Sequence, residues 1–156
     1  MNNDKLIDLL NDILAAELRS LLPRLRESTV FVDWASADDL FAVNGMMNEE
    51  LEHVAWLVDA INDVGGDPAP VTADIRSTGA HYLRLSYILP QVLRERRRAL
   101  SLFESAAPQL AANDRASVVA SRIIERKRRH VDHLAQLNEL SRRRSAATGA
   151  PTTTAS

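Results

Sequence analysis

Apolar residues recur at steps of three and four along four long stretches, and this spacing constrains the fold more than any other feature of the sequence. An α-helix with one buried face has a repeat of about 3.6 residues. The stretches run from about Asp4 to Val32, Ser36 to Gly65, Ala80 to Ala107, and Asn113 to Arg144. With 156 residues, 46% of them apolar, the chain can bury a sizeable core. The sequence predicts an all-α domain.

The connections between the predicted helices indicate their arrangement. Residues 33–36 and 108–112 are short links, which favour antiparallel neighbours. Residues 65–79 form a longer link. At roughly 3.3 Å per residue that link spans about 50 Å, more than the roughly 42 Å of a helix of about 28 residues. We therefore expect an antiparallel four-helix bundle with a long crossover between helices 2 and 3.

Local signals mark the predicted boundaries. Ser36 and Asp39 have the spacing of a capping box at the start of helix 2, and Gly65-Gly66 is typical of its end. Pro90 should kink or restart helix 3. Residues 145–156 are rich in Ala, Thr and Gly and predict a disordered tail. The domain expected is thus a bundle over 1–144 followed by this tail.

Composition excludes several classes of site and location. The chain has no cysteine, so any metal must be held by carboxylates and imidazoles. The first residues carry Asp4, Asp8 and Asp12 instead of a basic segment before an apolar run, so we predict no signal peptide. Since no stretch of about 18 residues is apolar and uncharged, we also predict no membrane span. A cytoplasmic protein is expected.

Charge is distributed unevenly along the chain. Residues 1–78 hold five Lys/Arg and 15 Asp/Glu, whereas residues 79–156 hold 14 and six. An acidic and a basic half can neutralise each other within the fold or across a subunit interface. Runs such as Arg96 to Arg98 could attract nucleic acid, but no aromatic residues alternate with them. We therefore do not expect a nucleic-acid partner.

Polar residues interrupt the apolar stripes of all four predicted helices. Glu50-x-x-His53 and Lys127-x-x-His130 place two polar groups on one helix face, because positions i and i+3 are neighbours. Glu17 lies on the stripe of helix 1. Glu95 lies on the stripe of helix 3, which also includes Val92, Leu102 and Ala106. All these positions fall near the middle of their helices, so we expect them to converge. By contrast, Glu49 and Glu52 flank the inward pair and should be solvated.

The chemistry of this set is that of a metal centre with one ligand exchanged. Bundle cores can hold two iron or manganese ions with four carboxylates and two imidazoles, and only three carboxylates converge here. With a protonated Lys127 the net charge is −2, enough for one divalent ion, or for none if His53 and His130 are protonated. Lys127 could pair with a carboxylate. Alternatively, desolvation could make it a neutral ligand or reactive amine.

Three segments of the chain resemble bacterioferritin, within the ferritin-like superfamily. They are Leu9-Leu10-Asn11 through Glu17-Leu18, Glu50-Leu51-Glu52-His53 leading to Gly65-Gly66-Asp67-Pro68, and His130-Val131-Asp132-His133-Leu134. The resemblance covers about residues 5–141. It implies Glu17 and His53 as ligands of one iron, Glu50 as a bridge, and Glu95 and His130 as ligands of the other. The second bridging carboxylate would fall on Lys127.

Departures from the family pattern shape the expected function. The haem-ligating methionine of the family would fall on Leu51, so we do not expect haem. The fifth helix of the 24-subunit cage is replaced by the tail, which favours a homodimer through helices 1 and 2. We expect an iron-binding protein whose ferroxidase centre, reacting with O₂ or peroxide, is altered and impaired. The alternatives are a metal-free structural or interaction bundle, and a specialised oxygenase that uses Lys127 in catalysis.

Overall fold

The computed structural model describes residues 2–19, 37–69 and 85–147. These residues form four α-helices and no strand. The helices are α1 (Asn3–Leu18), α2 (Ala37–Asp63), α3 (Leu85–Leu110) and α4 (Asp114–Ala147). Helices α1 and α4 each pack against both α2 and α3, so the described helices form one bundle. The all-α four-helix prediction is confirmed.

Several predicted features lie outside the described residues. They are the second half of predicted helix 1, the capping residue Ser36, most of the crossover and the C-terminal tail. Helix α4 continues to Ala147, three residues past the predicted boundary at 144. Within the described residues, no helix is long and apolar enough to cross a membrane.

The ends of α1 and α2 follow the local sequence signals. Asn2 caps α1, since its side-chain oxygen accepts a hydrogen bond from the Asp4 backbone N–H at 2.7 Å. Helix α2 ends at Asp63, just before the predicted Gly65-Gly66. Gly65 has a φ of 80°, which is accessible to glycine at little cost. The Gly66 N–H then donates to the Ile61 carbonyl at 2.9 Å, which completes a Schellman cap.

Helix α3 differs from the prediction at both of its prolines. We expected Pro90 to kink or restart the helix and Pro108 to lie in the following link, yet α3 runs through both. Each proline removes one backbone hydrogen bond and crowds the preceding turn, at a cost of about 3 kcal/mol in a helix interior. Pro108 is two residues from the end, and continuing the helix buries Leu110 completely. The link to α4 is therefore only 111–113, where Asn113 caps α4.

Two apolar clusters of described residues fill the core at different heights. Residues in both clusters are buried, and the larger cluster joins all four helices. Its largest fully buried members include Leu10, Leu57, Phe103 and Ile123. The smaller cluster comprises Val43, Met46, Leu89, Val92, Leu93, Leu134 and Leu137. Along α2, α3 and α4, the buried polar residues lie between the members of one cluster and the members of the other.

Val92 and Ala106 are buried as predicted, but between them the buried face of α3 is rotated by about one residue from the predicted face. We expected Glu95 and Leu102 to face inward, but the Glu95 side chain is 42% exposed and Leu102 is 41% exposed. Arg96 and Phe103 are buried instead, at 2% and 0%. Burying Phe103 removes more apolar area from water than burying Leu102, which favours this rotation. The rotation brings a guanidinium, and not a carboxylate, into the core.

Candidate metal centre

Among the described residues, six polar side chains are buried at mid-height of the bundle, between the two apolar clusters. Five of them were predicted from the sequence: Glu17, Glu50, His53, Lys127 and His130. The sixth is Arg96, on α3. Glu95, the remaining predicted residue, is partly exposed and forms an ion pair with Arg98 at 3.4 Å. The structure therefore brings five of the six predicted side chains together and places Glu95 outside the group. We call the six buried residues the polar centre.

Glu17 on α1 links α2 and α4 through its two carboxylate oxygens. Oε1 lies 3.1 Å from His53 Nδ1, and Oε2 lies 2.6 Å from Lys127 Nζ. All three side chains are essentially inaccessible to solvent. The His53 Nδ1–H donates to the carboxylate, so Glu17 accepts from one group and forms an ion pair with another.

The surroundings of Glu17 keep it ionised. Burial alone would raise its pKa, but the His53 hydrogen bond and the charges of Lys127 and Arg96 act in the other direction and lower the pKa to about 2. Its carboxylate is therefore negative at neutral pH. This charge explains how the ammonium of Lys127 can remain in the core, because a buried charge persists when it is paired.

The Lys127 stem is held within apolar surroundings. The residue is 1% exposed, and its Nζ lies 5.2 Å from the centre of the Phe103 ring. A cation at that distance from an aromatic face is attracted by the ring quadrupole. The sequence left open whether Lys127 is ion-paired or a free amine, and its 2.6 Å contact with Glu17 favours the ion pair.

Glu50 on α2 has its own cation. The Arg96 Nη2 donates to Glu50 Oε2 at 2.6 Å, and Arg96 Nη1 forms an ion pair with Glu50 Oε1. Two parallel contacts of this kind match the fork of a guanidinium to a carboxylate. The two side chains are only 3% and 7% exposed. Each buried carboxylate of the polar centre is thus matched by a buried cation.

His130 on α4 is neutral and bonded to a glutamate that we expected to be solvated. Burial lowers the pKa of His130 to about 4, against the effect of Glu49. His130 Nε2 lies 2.7 Å from Glu49 Oε2, so the neutral ring donates through Nε2–H. The Glu49 side chain is 36% exposed. Burial raises the pKa of Glu49, but the hydrogen bond from His130 acts in the other direction, and the pKa is lowered overall. The prediction for Glu49 is corrected because its side chain reaches inward to satisfy His130.

The imidazoles of His53 and His130 are stacked, and each has one nitrogen without a hydrogen bond to any described residue. The ring centres of His53 and His130 are 6.2 Å apart, with 20° between the planes. His53 Nε2 and His130 Nδ1 are buried and have no hydrogen-bond partner among the described residues. In each ring the opposite nitrogen contacts a carboxylate, an arrangement that orients imidazole ligands in metal sites.

The donor set does not fit a centre of two divalent ions. Within the described residues, no group of three or more His, Asp or Glu side chains is arranged to hold a metal. The ammonium of Lys127 and the guanidinium of Arg96 already balance the charges of Glu17 and Glu50. A divalent ion placed among them would meet two fixed positive charges and no uncompensated buried carboxylate. These residues therefore do not fit a pair of iron ions.

Sequence reasoning missed two members of this arrangement. Arg96 lies in the Arg96 to Arg98 run, and arginine is rarely buried unless it is paired. A four-residue step from Val92 to Arg96 followed by a seven-residue step to Phe103 was the available signal. Glu49 had no comparable signal, because its contact with His130 depends on the rotation of α4 against α2.

Comparison with known proteins identifies the fold. The chain is similar to a solved structure described as a ferritin-like, diiron-carboxylate protein from Bacillus anthracis str. Ames, with 18% identity and a TM-score of 0.70. The match covers 88% of this chain and 99% of that chain. No family model matches, and no curated protein matches. The chain has the ferritin-like four-helix-bundle fold.

Proposed function

We propose that this chain is a metal-independent ferritin-like bundle that acts through association with other protein surfaces. Lys127 and Arg96 take over the charge-balancing role that metal ions have in a di-iron carboxylate centre. The observation that supports this is the pairing of both buried carboxylates, Glu17 with Lys127 and Glu50 with Arg96. From the sequence we expected an altered iron centre first and a metal-free bundle second. Because Arg96 is a second buried cation, the metal-free bundle becomes the first candidate and the iron centre the second.

Electrostatics supports the replacement of metals by side chains. A divalent ion 4 Å from one ammonium is repelled by about 8 kcal/mol at an effective dielectric of about 20. Binding two ions would require Lys127 and Arg96 to leave the core or to lose their protons. Arginine does not lose its proton in proteins. The oxygenase alternative requires a reactive Lys127 amine, and the 2.6 Å contact with Glu17 argues against it.

A single metal ion is the second candidate. It is supported by His53 Nε2 and His130 Nδ1, which are buried without hydrogen-bond partners among the described residues. Neutral His130 is suited to ligation, since its Nε2–H is already directed to Glu49. This candidate corresponds to the expected bacterioferritin-like iron-binding protein with an impaired ferroxidase centre.

Metal analysis and anaerobic Fe²⁺ titration separate these candidates. The metal-free proposal predicts that no iron is tightly bound. One equivalent of iron per subunit that is lost in His53→Gln would instead establish the single-ion candidate. Two equivalents with rapid oxidation by O₂ or peroxide would contradict both. Lys127→Glu combined with Arg96→Gln removes both cations and adds a carboxylate, so it should raise the iron stoichiometry. Arg128→Gln is the control, because Arg128 is exposed and pairs with Glu104 outside the centre.

Association is proposed as a homodimer through α1 and α2. Two large apolar side chains on α2 support it, since Phe41 is 79% exposed and Leu51 is 68% exposed. Exposed aromatic and aliphatic side chains of this kind are common at the centres of interfaces. The acidic first half and basic second half of the chain would add complementary charge. The proposal retains the expectation of a cytoplasmic protein without haem or nucleic acid.

Light scattering tests the assembly. We expect the mass of two chains, and we expect Leu51→Glu to shift the protein towards a monomer by placing a charge in the interface. Leu140→Glu is the matched control, because Leu140 is 44% exposed but lies on α4. A mass of 24 chains, or a dimer that dissociates in Leu140→Glu and persists in Leu51→Glu, would contradict this interface.

A further inference from the structure

A cavity of about 260 Å³ opens beside the polar centre, between α1 and α3. Its charged lining consists of Arg19, Glu95, Arg96 and Arg98. Arginine is the side chain that best matches a planar carboxylate, and three of these four residues are arginines. The cavity reaches the surface of the bundle, because its lining also includes the exposed Arg98.

The charges around the cavity do not cancel. Arg96 is neutralised by Glu50, and Arg98 forms an ion pair with Glu95 at 3.4 Å. Arg19 has no ion pair among the described residues. Among the described residues that line the cavity, one positive charge is therefore left over, and this favours a ligand with a single negative charge.

The rest of the lining is apolar and small. Ala16 and Ala99 come from α1 and α3, and Leu102 adds a partly exposed apolar side chain. The two alanines leave the space that larger side chains would fill. Since ligand pockets usually measure about 300 to 1,000 Å³, a cavity of this volume fits only a small molecule.

We propose that this cavity binds a small monocarboxylate with a short alkyl chain. The carboxylate contacts Arg19 and the guanidinium groups beside it, and the alkyl chain contacts Ala16, Ala99 and Leu102. A dianion such as phosphate is disfavoured, because Glu95 adds a negative charge and the apolar wall offers no donors. The proposed function assigns no ligand to this cavity, so the site goes beyond that function.

Titration with butyrate, followed by amide chemical shifts of the whole chain, tests this site. We expect saturable shifts for residues on α1 and α3 around the cavity. Butyramide has the same shape without the charge and should not saturate, and inorganic phosphate should bind at least tenfold more weakly than butyrate. Equal binding of butyramide or phosphate, or no saturable binding of butyrate, would overturn the proposal.

Four variants locate the site by charge and by volume. Arg19→Gln removes a charged donor and should weaken butyrate binding by about tenfold or more. Glu95→Gln removes the repelling carboxylate and should strengthen binding severalfold. Ala99→Leu fills the cavity without changing charge and should abolish binding, with its thermal unfolding recorded to verify that it folds. Arg128→Gln, an exposed arginine away from the cavity, should bind like the unmodified chain. Unchanged affinity in Arg19→Gln would place the butyrate elsewhere and overturn the proposal.

Discussion

The larger apolar cluster and the polar centre are buried to the same degree but are held together by different forces. Leu57, Phe103 and Ile123 are 0% exposed in the cluster, and Lys127 and His53 are 1% and 0% exposed in the centre. The cluster gains free energy from each apolar group removed from water. The centre gains little, because the attraction within each ion pair is offset by the loss of hydration of its charges.

This difference indicates what each region contributes to the bundle. Cluster residues can be exchanged for others of similar volume, since dispersion and burial are not directional. A member of the polar centre cannot be removed alone, because its partner would stay behind as a buried, unpaired charge. The clusters therefore provide stability, and the centre fixes which helix faces meet. Glu17 contacts both α2 and α4, and Glu50 contacts α3, so the pairings specify the rotation of all four helices.

The largest effect is expected for Lys127→Met. This substitution keeps most of the side-chain volume but leaves the carboxylate of Glu17 buried without its cation. Breaking a buried pair in this way destabilises by about 3 to 5 kcal/mol. Urea unfolding followed by circular dichroism measures the change in the free energy of unfolding.

The double variant Lys127→Met/Glu17→Gln is the control for that experiment. Removing both charges should recover most of the lost stability, because the pair contributes little net free energy. A double variant as unstable as Lys127→Met would show that Lys127 stabilises the core through packing. The contrast drawn between the two regions would then be wrong.

The next effect is expected within the apolar cluster. Leu57→Ala removes a fully buried side chain and leaves a cavity, so it should destabilise by about 3 kcal/mol. Leu57→Met conserves volume and should cost less than about 1.5 kcal/mol. Both values come from urea unfolding. Equal losses in the two variants would show that this cluster, like the polar centre, depends on the identity of each side chain.

Most of the fold could be predicted from the periodicity of the sequence. The apolar stripes of α1, α2 and α4 and the glycine end of α2 were predicted because helical spacing and caps are local properties. The buried face of helix α3 was harder to predict. Its prolines and its run of arginines obscure the stripe, and the choice between Leu102 and Phe103 depends on the space that the other helices leave.

The polar centre could be predicted by residue type but not by pairing. Glu17, Glu50, His53, Lys127 and His130 interrupt apolar stripes, and that pattern is visible in the sequence. Which carboxylate meets which cation depends on the rotations of the helices. A rotation of α3 by about one residue exchanges a candidate metal ligand, Glu95, for a fixed cation, Arg96, and thus changes the chemistry of the centre.

The two regions should also differ in their response to acid. In the unfolded chain His130 takes up a proton near pH 6.5, whereas its pKa is about 4 in the folded protein. Between pH 6.5 and about 4 the unfolded chain therefore binds more protons than the folded protein. The free energy of unfolding falls as the pH decreases through this range. A decrease in the pKa from 6.5 to about 4 corresponds to roughly 3 to 4 kcal/mol. Unfolding at pH 7, 5.5 and 4 measures the loss.

The variant His130→Gln tests whether His130 is the group responsible for the loss of stability at low pH. This variant keeps a donor for Glu49 but cannot titrate, so its stability should change less between pH 6.5 and 4. Glu17 acts in the same direction at lower pH, because its pKa falls from 4.5 to about 2 and its pairing is lost as pH decreases through that range. An unchanged pH dependence in His130→Gln would assign the loss to other groups.

The smallest effect is expected for an ion pair outside both regions. Glu104 and Arg128 are 3.0 Å apart, and their side chains are 40% and 62% exposed. Water hydrates both groups when the pair is broken, so Glu104→Gln should change the free energy of unfolding by less than about 0.5 kcal/mol. Urea unfolding of this variant at low and high salt is the measurement, with Lys127→Met measured alongside. A loss above about 1 kcal/mol in Glu104→Gln would mean that exposure does not determine the cost of an unpaired charge in this bundle, and the polar centre would no longer be distinguished by its burial.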